Sequence, residues 1–376
     1  MNSLVFVGGG TGGHIFPGLA VIEALKEITP DSNIVWLGSS RGMDRSIVES
    51  AGVSFYGIPS GKFRRYFSFK NITDLFRIFV GFFVALYHLK KLKPLVVFSK
   101  GGFVSVPPCY AAALLGIPVL THECDFTPGL ATRLNARVAK KIFISYEETV
   151  SYLAQRYQSL AEYTGNPVRS AFYHTNPAKG RQFLGFSDKN TPVVFVQGGS
   201  LGARQINELT VSIARRLSEH CFIVHQTGAG NRDAALEEEQ HSTSGKYRSF
   251  EFIREEMPHV LSCADLVVSR AGANSVWECA TAGKPMVLIP LEASGSRGDQ
   301  IDNARFYEER GAATVLGGSH STAENLYVTI KELLDNSEKL ATMAEKSAQL
   351  GKIQASHVLA KKILETAGLS VSGEAQ

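Results

Sequence analysis

Glycine clusters, one histidine and a few carboxylates stand where this chain could hold a phosphorylated ligand. Gly8-Gly9-Gly10-Thr11-Gly12-Gly13-His14 follows the apolar run Val5-Phe6-Val7, and Gly198-Gly199-Ser200-Leu201-Gly202-Ala203 follows Val194-Phe195-Val196. Glycine lets the backbone turn sharply and lets a ligand reach bare amides. A helix opening just after the turn aims its unpaired N–H groups and positive dipole end at an anion. His14 falls at such a helix start, where a positive dipole disfavours the imidazolium and leaves a ring able to take a proton. The other reading of His14 is a helix-start residue bonded locally. Ser269-Arg270-Ala271-Gly272-Ala273-Asn274-Ser275-Val276-Trp277-Glu278 is a third strand, glycine turn and helix start. There Ser275 and Glu278 have capping-box spacing, or Glu278 accepts the two hydroxyls of a ribose. His122-Glu123-Cys124-Asp125 ends a fourth apolar run, at the sheet edge where ligands bind in such folds.

The first loop also fits the dinucleotide fingerprint, which calls for a carboxylate at the end of the next strand. That strand ends Leu37-Gly38-Ser39-Ser40-Arg41 instead. Arg41 suits a 2′-phosphate, so an NADP oxidoreductase is an alternative, but it leaves the second glycine loop unexplained. No Asp-x-Asp and no metal-spaced cluster occurs, so no metal is expected, and backbone amides with Ser200, Arg169 or Arg204 must neutralise any diphosphate.

Elements to position these groups are readable. Strands are expected at Leu4–Val7, Ile34–Leu37, Leu95–Ser99, Val119–Thr121 and Ile142–Ile144. A second set is expected at Val193–Val196, Phe222–Gln226, Leu266–Ser269, Met286–Ile289 and Thr314–Leu316. Continuous apolar runs with helical stretches between them give an α/β protein with parallel sheets. Gly165-Asn166-Pro167 is the expected interdomain turn, and a last helix is expected over roughly Ser347–Ala367.

The chain has 376 residues, enough for two domains, and five scattered cysteines that suggest free thiols. Met1-Asn2-Ser3 leads straight into a strand pattern, so no signal peptide is expected. Net charge is +4, yet residues 62–93 hold eight basic side chains and one acidic one. The positive surplus therefore sits in one segment. Phe63, Tyr66, Phe67 and Phe69 alternate there with Arg64, Arg65 and Lys70. Downstream, Leu75, Ile78, Phe79, Phe82, Phe83 and Leu86 form one helical stripe and Phe76, Val80, Val84 and Tyr87 another. The uncharged run Ile78–Tyr87 is ten residues, against about 20 for a bilayer span. An anionic membrane surface is the expected partner, with Arg64, Arg65, Phe67, Phe79, Phe82 and Phe83 as its patch. A buried core helix is the other reading. Nucleic acid is not expected, because no binding module is recognisable.

Gly9-Gly10-Thr11-Gly12-Gly13-His14 with Phe16-Pro17-Gly18, Ser99-Lys100-Gly101-Gly102-Phe103, His122-Glu123, Gly165-Asn166-Pro167-Val168-Arg169, Gly198-Gly199-Ser200-Leu201-Gly202-Ala203-Arg204 and Ala271-Gly272-Ala273 with Glu278 occur together and in order. In this the chain resembles the MurG family of peptidoglycan N-acetylglucosaminyltransferases. The resemblance implies a GT-B fold, two Rossmann-like parallel-sheet domains separated by a cleft. It implies inverting transfer of GlcNAc from UDP-GlcNAc to the C4 hydroxyl of MurNAc in undecaprenyl-diphosphate-MurNAc-pentapeptide. It implies no cofactor and a peripheral place on the cytoplasmic side of the cell membrane. Another GT-B enzyme with a different lipid acceptor is the nearest alternative.

Residues 1–166 are then the acceptor and membrane-binding domain and 167–349 the UDP-GlcNAc domain, with a helix at about 350–370 packing back on the first. Carried over by motif, Ser200, Ile253, Ala273, Asn274, Ser275, Val276, Trp277, Glu278 and Gln300 hold the donor, Ile253 at the uracil and Glu278 at the ribose. Thr11, Gly12, Gly13 and Asp125 approach the sugar, and Arg169 the diphosphate. Gly10, Gly101 and Gly102 embrace the acceptor diphosphate. His14 and then Glu123 are the expected bases. The family usually has Asn at Asp125, and the loop Glu292–Asp299 is longer and richer in glycine and serine than usual.

Overall fold

A computed structural model describes residues 3–61, 69–199, 202–241, 245–292 and 298–369. Its contacts divide the chain into two units, Met1–Ser170 with Gln354–Gln376, and Ala171–Ile353. The first is built on β1 (Ser3–Val7), β2 (Asn33–Ser39), β3 (Ser54–Ile58), β4 (Val96–Ser99), β5 (Val119–Glu123), β6 (Lys141–Ile144) and β7 (Ala161–Tyr163). They pair in the order β3-β2-β1-β4-β5-β6-β7, every pair parallel. The second unit has β8 (Val193–Gln197), β9 (Phe222–Gln226), β10 (Tyr247–Phe250), β11 (Leu266–Ser269), β12 (Met286–Leu288) and β13 (Ala313–Val315). Their order is β10-β9-β8-β11-β12-β13, again all parallel.

Strands that read as continuous apolar runs, such as β1 and β8, are buried along their whole length. The expected strands all form. Three more are added, β3, β7 and β10, and each lies at a sheet edge. Edge strands are short and half solvated, so they carry no continuous apolar run. Ser54-Phe55-Tyr56 and Tyr247-Arg248-Ser249 alternate exposed and buried positions instead.

Glycine sets how closely the first helix, Gly12–Ile28, lies on its sheet. A Cβ at Gly18 would fall 2.5 Å from the Trp36 ring. Trp36 in turn donates from its indole to the Gly8 carbonyl at 3.0 Å, pinning the strand end that enters the glycine loop. Helix Ala355–Thr366 also packs on Gly12–Ile28 and sends Leu359, Ile363 and Leu364 into the core with Leu4, Phe6 and Phe98.

The single helix expected over Ser347–Ala367 is corrected. It is two helices, Ser337–Leu350 and Ala355–Thr366. Gly351 forces the break: a Cβ there would lie 2.3 Å from the backbone of Ala280, so the chain approaches that helix with bare backbone and turns away. Among the described residues, no helix is long and apolar enough to cross a membrane.

Candidate active site

In each sheet the strand order reverses beside the first strand, between β1 and β4 and between β8 and β11. Ligands of open parallel sheets bind beyond the carboxyl ends of the strands at that point. The turns after β1, β4, β8 and β11 lie there, unit by unit.

In the first unit Thr11 is the N-cap of helix Gly12–Ile28 and His14 its third residue. The His14 N–H bonds locally, to the Thr11 carbonyl at 3.2 Å, and its ring also makes a long-range contact. Its Nδ1 lies 3.2 Å from the carbonyl of Lys100, at the end of β4. A carbonyl only accepts, so Nδ1 carries the hydrogen and Nε2 is the acceptor atom of the neutral ring. Gly101 and Gly102 line this ring with φ of +83° and +78°. A Cβ at Gly102 would stand 2.8 Å from both His14 Cδ2 and the Gly9 carbonyl, so only glycine lets the loops meet.

Gly10 needs correction as an amide offered to a ligand. Its N–H donates to both oxygens of Asp44, at 3.1 and 2.9 Å, and the Ser39 N–H donates to Asp44 Oδ2 at 2.9 Å. Burial pushes the Asp44 carboxyl above its ordinary value, against the pull of those two amides. This carboxylate occupies the first amide of the cradle and lies against Gly9, where a dinucleotide pyrophosphate would pass. The NADP reading loses its anion site to Asp44.

Glu123 is corrected as a base. It is buried, and its Oε1 accepts from the N–H groups of Cys124 and Asp125 at 2.9 and 3.0 Å, while Oε2 accepts from Gly129 at 2.9 Å. Both oxygens hold the loop that carries Asp125. Glu123, Cys124 and Asp125 offer three ligand atoms within 4.8 Å of one another. The three amides already on Glu123 make this a loop anchor. Arg169 is half-buried near the end of this unit.

In the second unit the glycine turn after β8 is tight. A Cβ at Gly202 would come 2.1 Å from the Thr227 carbonyl, the same carbonyl that accepts from Asn207 at 2.9 Å. Asn207 Oδ1 meets His225 Nε2 at 3.1 Å, and burial pushes that histidine down to about 3. The neutral ring thus ties helix Arg204–Leu217 to β9. Ser200 lies outside the described residues.

Helix Ala273–Thr281 starts from Gly272, which is its N-cap without a side-chain bond. The capping-box reading of Ser275 and Glu278 is therefore overturned, since both lie inside the helix. Ala273, Asn274 and Ser275 supply the first-turn amides that no helix carbonyl takes. Among the described residues, a Cβ at Gly272 would meet nothing within 4 Å. Val276 and Trp277 are corrected: both are buried in the core, and the Val276 N–H closes on the Gly272 carbonyl at 3.2 Å. Glu278 is half-buried on the other side of the helix. The N–H of Ile253 donates to Gln226 Oε1 at 2.7 Å, which fixes the backbone there. Gln300 Oε1 accepts from Leu291 at 3.0 Å and fastens the start of the loop before it.

The two stripes of helix Phe69–Leu92 are redistributed. Phe76, Phe79 and Phe83 are 68%, 61% and 50% exposed, and with Val80, Val84 and Tyr87 they line one shallow apolar hollow. Phe82 is corrected: it turns inward against the core of Val5, Val97 and Val104. Arg64, Arg65 and Phe67 lie outside the described residues. Asp74, the single acid of the segment, pairs with Arg77 at 3.0 Å.

Residues 4–144 match the glycosyltransferase family 28 N-terminal domain, and residues 193–362 match the family 28 C-terminal domain. The chain belongs to glycosyltransferase family 28. This glycosyltransferase is 49% identical over 369 residues to a Treponema denticola protein, covering 93% of this chain and 94% of that one. The relative is named UDP-N-acetylglucosamine–N-acetylmuramyl-(pentapeptide) pyrophosphoryl-undecaprenol N-acetylglucosamine transferase. A Treponema pallidum protein of the same name is 46% identical, with 96% of this chain and 94% of that one aligned. The crystal structure of Acinetobacter baumannii MurG superposes with a TM-score of 0.75 at 29% identity, over 97% of this chain and all of that one. The expected GT-B fold and family are thus borne out. A Staphylococcus aureus MnaA–UDP structure shares the fold at a TM-score of 0.70 and 14% identity, with 98% of each chain covered.

Asp44, Lys100 and Gln226 were not singled out as site residues from sequence, and His122 was noted only as part of the polar cluster after β5. Asp44 lies five residues beyond β2, past the strand-end position where a carboxylate was sought. The other three act through residues 22 to 43 positions away.

Proposed function

We propose that this glycosyltransferase moves GlcNAc from UDP-GlcNAc to the C4 hydroxyl of MurNAc in undecaprenyl-diphosphate-MurNAc-pentapeptide. The product is the lipid-linked disaccharide pentapeptide of peptidoglycan synthesis. The observation that carries the reading is 49% identity across 93% of the chain to a relative named for that transfer.

The geometry supplies a route. His14 Nε2 takes the proton of the acceptor hydroxyl. The hydroxyl oxygen bonds to the anomeric carbon as the bond from that carbon to UDP breaks. The electron pair leaves on the β-phosphate. One displacement inverts the anomeric configuration. Arg169, Ser200 and the amides of Ala273, Asn274 and Ser275 receive the charge that develops on UDP. Glu278 takes the ribose hydroxyls, and the Ile253 carbonyl takes the uracil N3–H. Thr11, Gly12, Gly13 and Asp125 approach the donor sugar. Gly101 and Gly102, with first-turn amides of helix Gly12–Ile28, take the acceptor diphosphate. Radiolabelled UDP-GlcNAc and a lipid-diphosphate-MurNAc-pentapeptide analogue test the reading. Label in the lipid fraction, dependent on the acceptor, is expected. UDP release with no labelled lipid overturns the acceptor assignment.

The exposed face of Phe76, Phe79, Phe83 and Tyr87 supports a peripheral place on a cytoplasmic membrane surface, and the positive surplus of the sequence 62–93 favours anionic lipid. Binding to vesicles containing phosphatidylglycerol is expected to weaken as salt rises, and to fall further in a Phe79→Ser/Phe83→Ser double variant. Sedimentation of the protein with the vesicles measures both. Binding that ignores both changes assigns that face another role.

A further inference from the structure

Two buried cations stand at equivalent places in the two units. Val7 of β1 pairs with Ser99 of β4, and the next residue is Lys100. Gln197 of β8 pairs with Ser269 of β11, and the next residue is Arg270. Each therefore lies where its strand order reverses, under a glycine turn, and they are 1% and 8% exposed. Arg270 donates from Nη1 to the carbonyls of Ile289 and Pro290, at 3.1 and 3.2 Å. Lys100 Nζ lies 3.0 Å from His122 Nδ1, and His122 Nε2 lies 2.9 Å from the Gly165 carbonyl. That carbonyl fixes the hydrogen on Nε2, so Nδ1 accepts from the lysine. Burial and the neighbouring ammonium hold His122 neutral. Among the described residues, neither cation has a carboxylate within 4.0 Å. A buried charge left without a counter-charge is costly, and a bound anion removes the cost.

We propose that Lys100 is the fixed positive charge of the acceptor cradle, a positioning residue that draws the lipid-linked diphosphate onto Gly101 and Gly102 and keeps His14 a neutral base. The proposal rests on the reading of His14 given above. The backbone of Lys100 is the partner of His14 Nδ1, and its N–H is bonded to the Val7 carbonyl at 2.9 Å. Its side chain, tied through His122 to Gly165, locks that carbonyl in place. The helix of His14 also carries Glu23, Lys26 and Glu27, and the turn and helix around Asp44 carry Arg41, Arg45 and Glu49; the carboxylates of Asp44, Glu123 and Asp125 favour the imidazolium. Lys100 and the helix start oppose them.

Lys100→Met removes the charge and the bond to His122, while Lys100→Gln removes the charge alone. In both, KM for a short-chain polyprenyl-diphosphate-MurNAc acceptor is expected to rise roughly tenfold or more, with KM for UDP-GlcNAc within about twofold of the parent. The acid limb of kcat/KM is expected to move to higher pH, since loss of a nearby positive charge raises the His14 pKa. An unchanged acceptor KM or an unmoved acid limb in a folded variant overturns the proposal. If neither variant keeps the parent's circular dichroism and melting behaviour, ¹³C-histidine NMR of the unaltered protein decides. A His14 titration below about 6.5 supports the proposal and one at or above it refutes it. Near-normal turnover of His14→Gln would sink the base reading alone, leaving the acceptor KM result to judge Lys100 as a counter-charge.

Discussion

His14→Gln is expected to lower kcat by roughly 10²–10⁴ while leaving UDP-GlcNAc affinity near the parent value. Glutamine can still donate to the Lys100 carbonyl, so the 3.2 Å contact that orients the ring has a substitute. What is lost is a nitrogen able to take a proton from the acceptor hydroxyl. Donor affinity stays because the residues assigned to uridine lie in the second unit, around Ile253, Ala273 and Glu278. Steady-state kinetics paired with calorimetric titration of UDP-GlcNAc separates the two quantities. Near-normal turnover would take His14 out of the base role. A loss confined to donor affinity would make it a binding residue.

Glu123→Ala is the second large effect, and it is expected to fall on stability first. The buried carboxylate accepts three backbone N–H groups, from Cys124, Asp125 and Gly129. Hydrogen bonds to a charged acceptor contribute about 1.5–3 kcal/mol each, and they are not additive. A loss of roughly 3–5 kcal/mol is expected, a large part of the stability of a unit of this size. It should appear as a melting midpoint lowered by about 10 °C. Glu123→Gln keeps one good acceptor oxygen and should fall between the two. The test is its activity at a temperature where the variant is folded. A structural anchor gives turnover recovering toward the parent as the loop is restored at low temperature. Turnover abolished in a variant with the parent's melting midpoint would return Glu123 to the list of bases.

These two residues show where sequence is informative and where it stops. The glycine loops, the strands that feed them and the helices that start after them are local patterns, so they could be read in full. Glu123 was placed correctly at the end of β5, but its role depends on a loop that folds back on its own strand. Asp44 reaches Gly10 across 34 positions, and Lys100 reaches His122 across 22, distances at which no spacing rule applies. The capping-box alternative for Ser275 and Glu278 fails because the helix is capped at Gly272, three residues before the hydroxyl. Val276 and Trp277 were assigned together with their motif neighbours, yet the helical period turns them to the core. Phe82 stands beside Phe83 in sequence and points the other way for the same reason. Three of the four edge strands, β3, β7 and β10, escaped because half-solvated strands carry mixed residues.

The proposed reaction is one displacement, with a single inversion. The product of the reaction with UDP-GlcNAc and the lipid-diphosphate-MurNAc acceptor therefore carries the deciding mark. Proton NMR of the isolated disaccharide should show GlcNAc joined through a β linkage to the C4 oxygen of MurNAc, inverted from the α configuration of the donor. An α linkage, a bond to another hydroxyl, or a free sugar altered at C2 with no disaccharide would contradict the account.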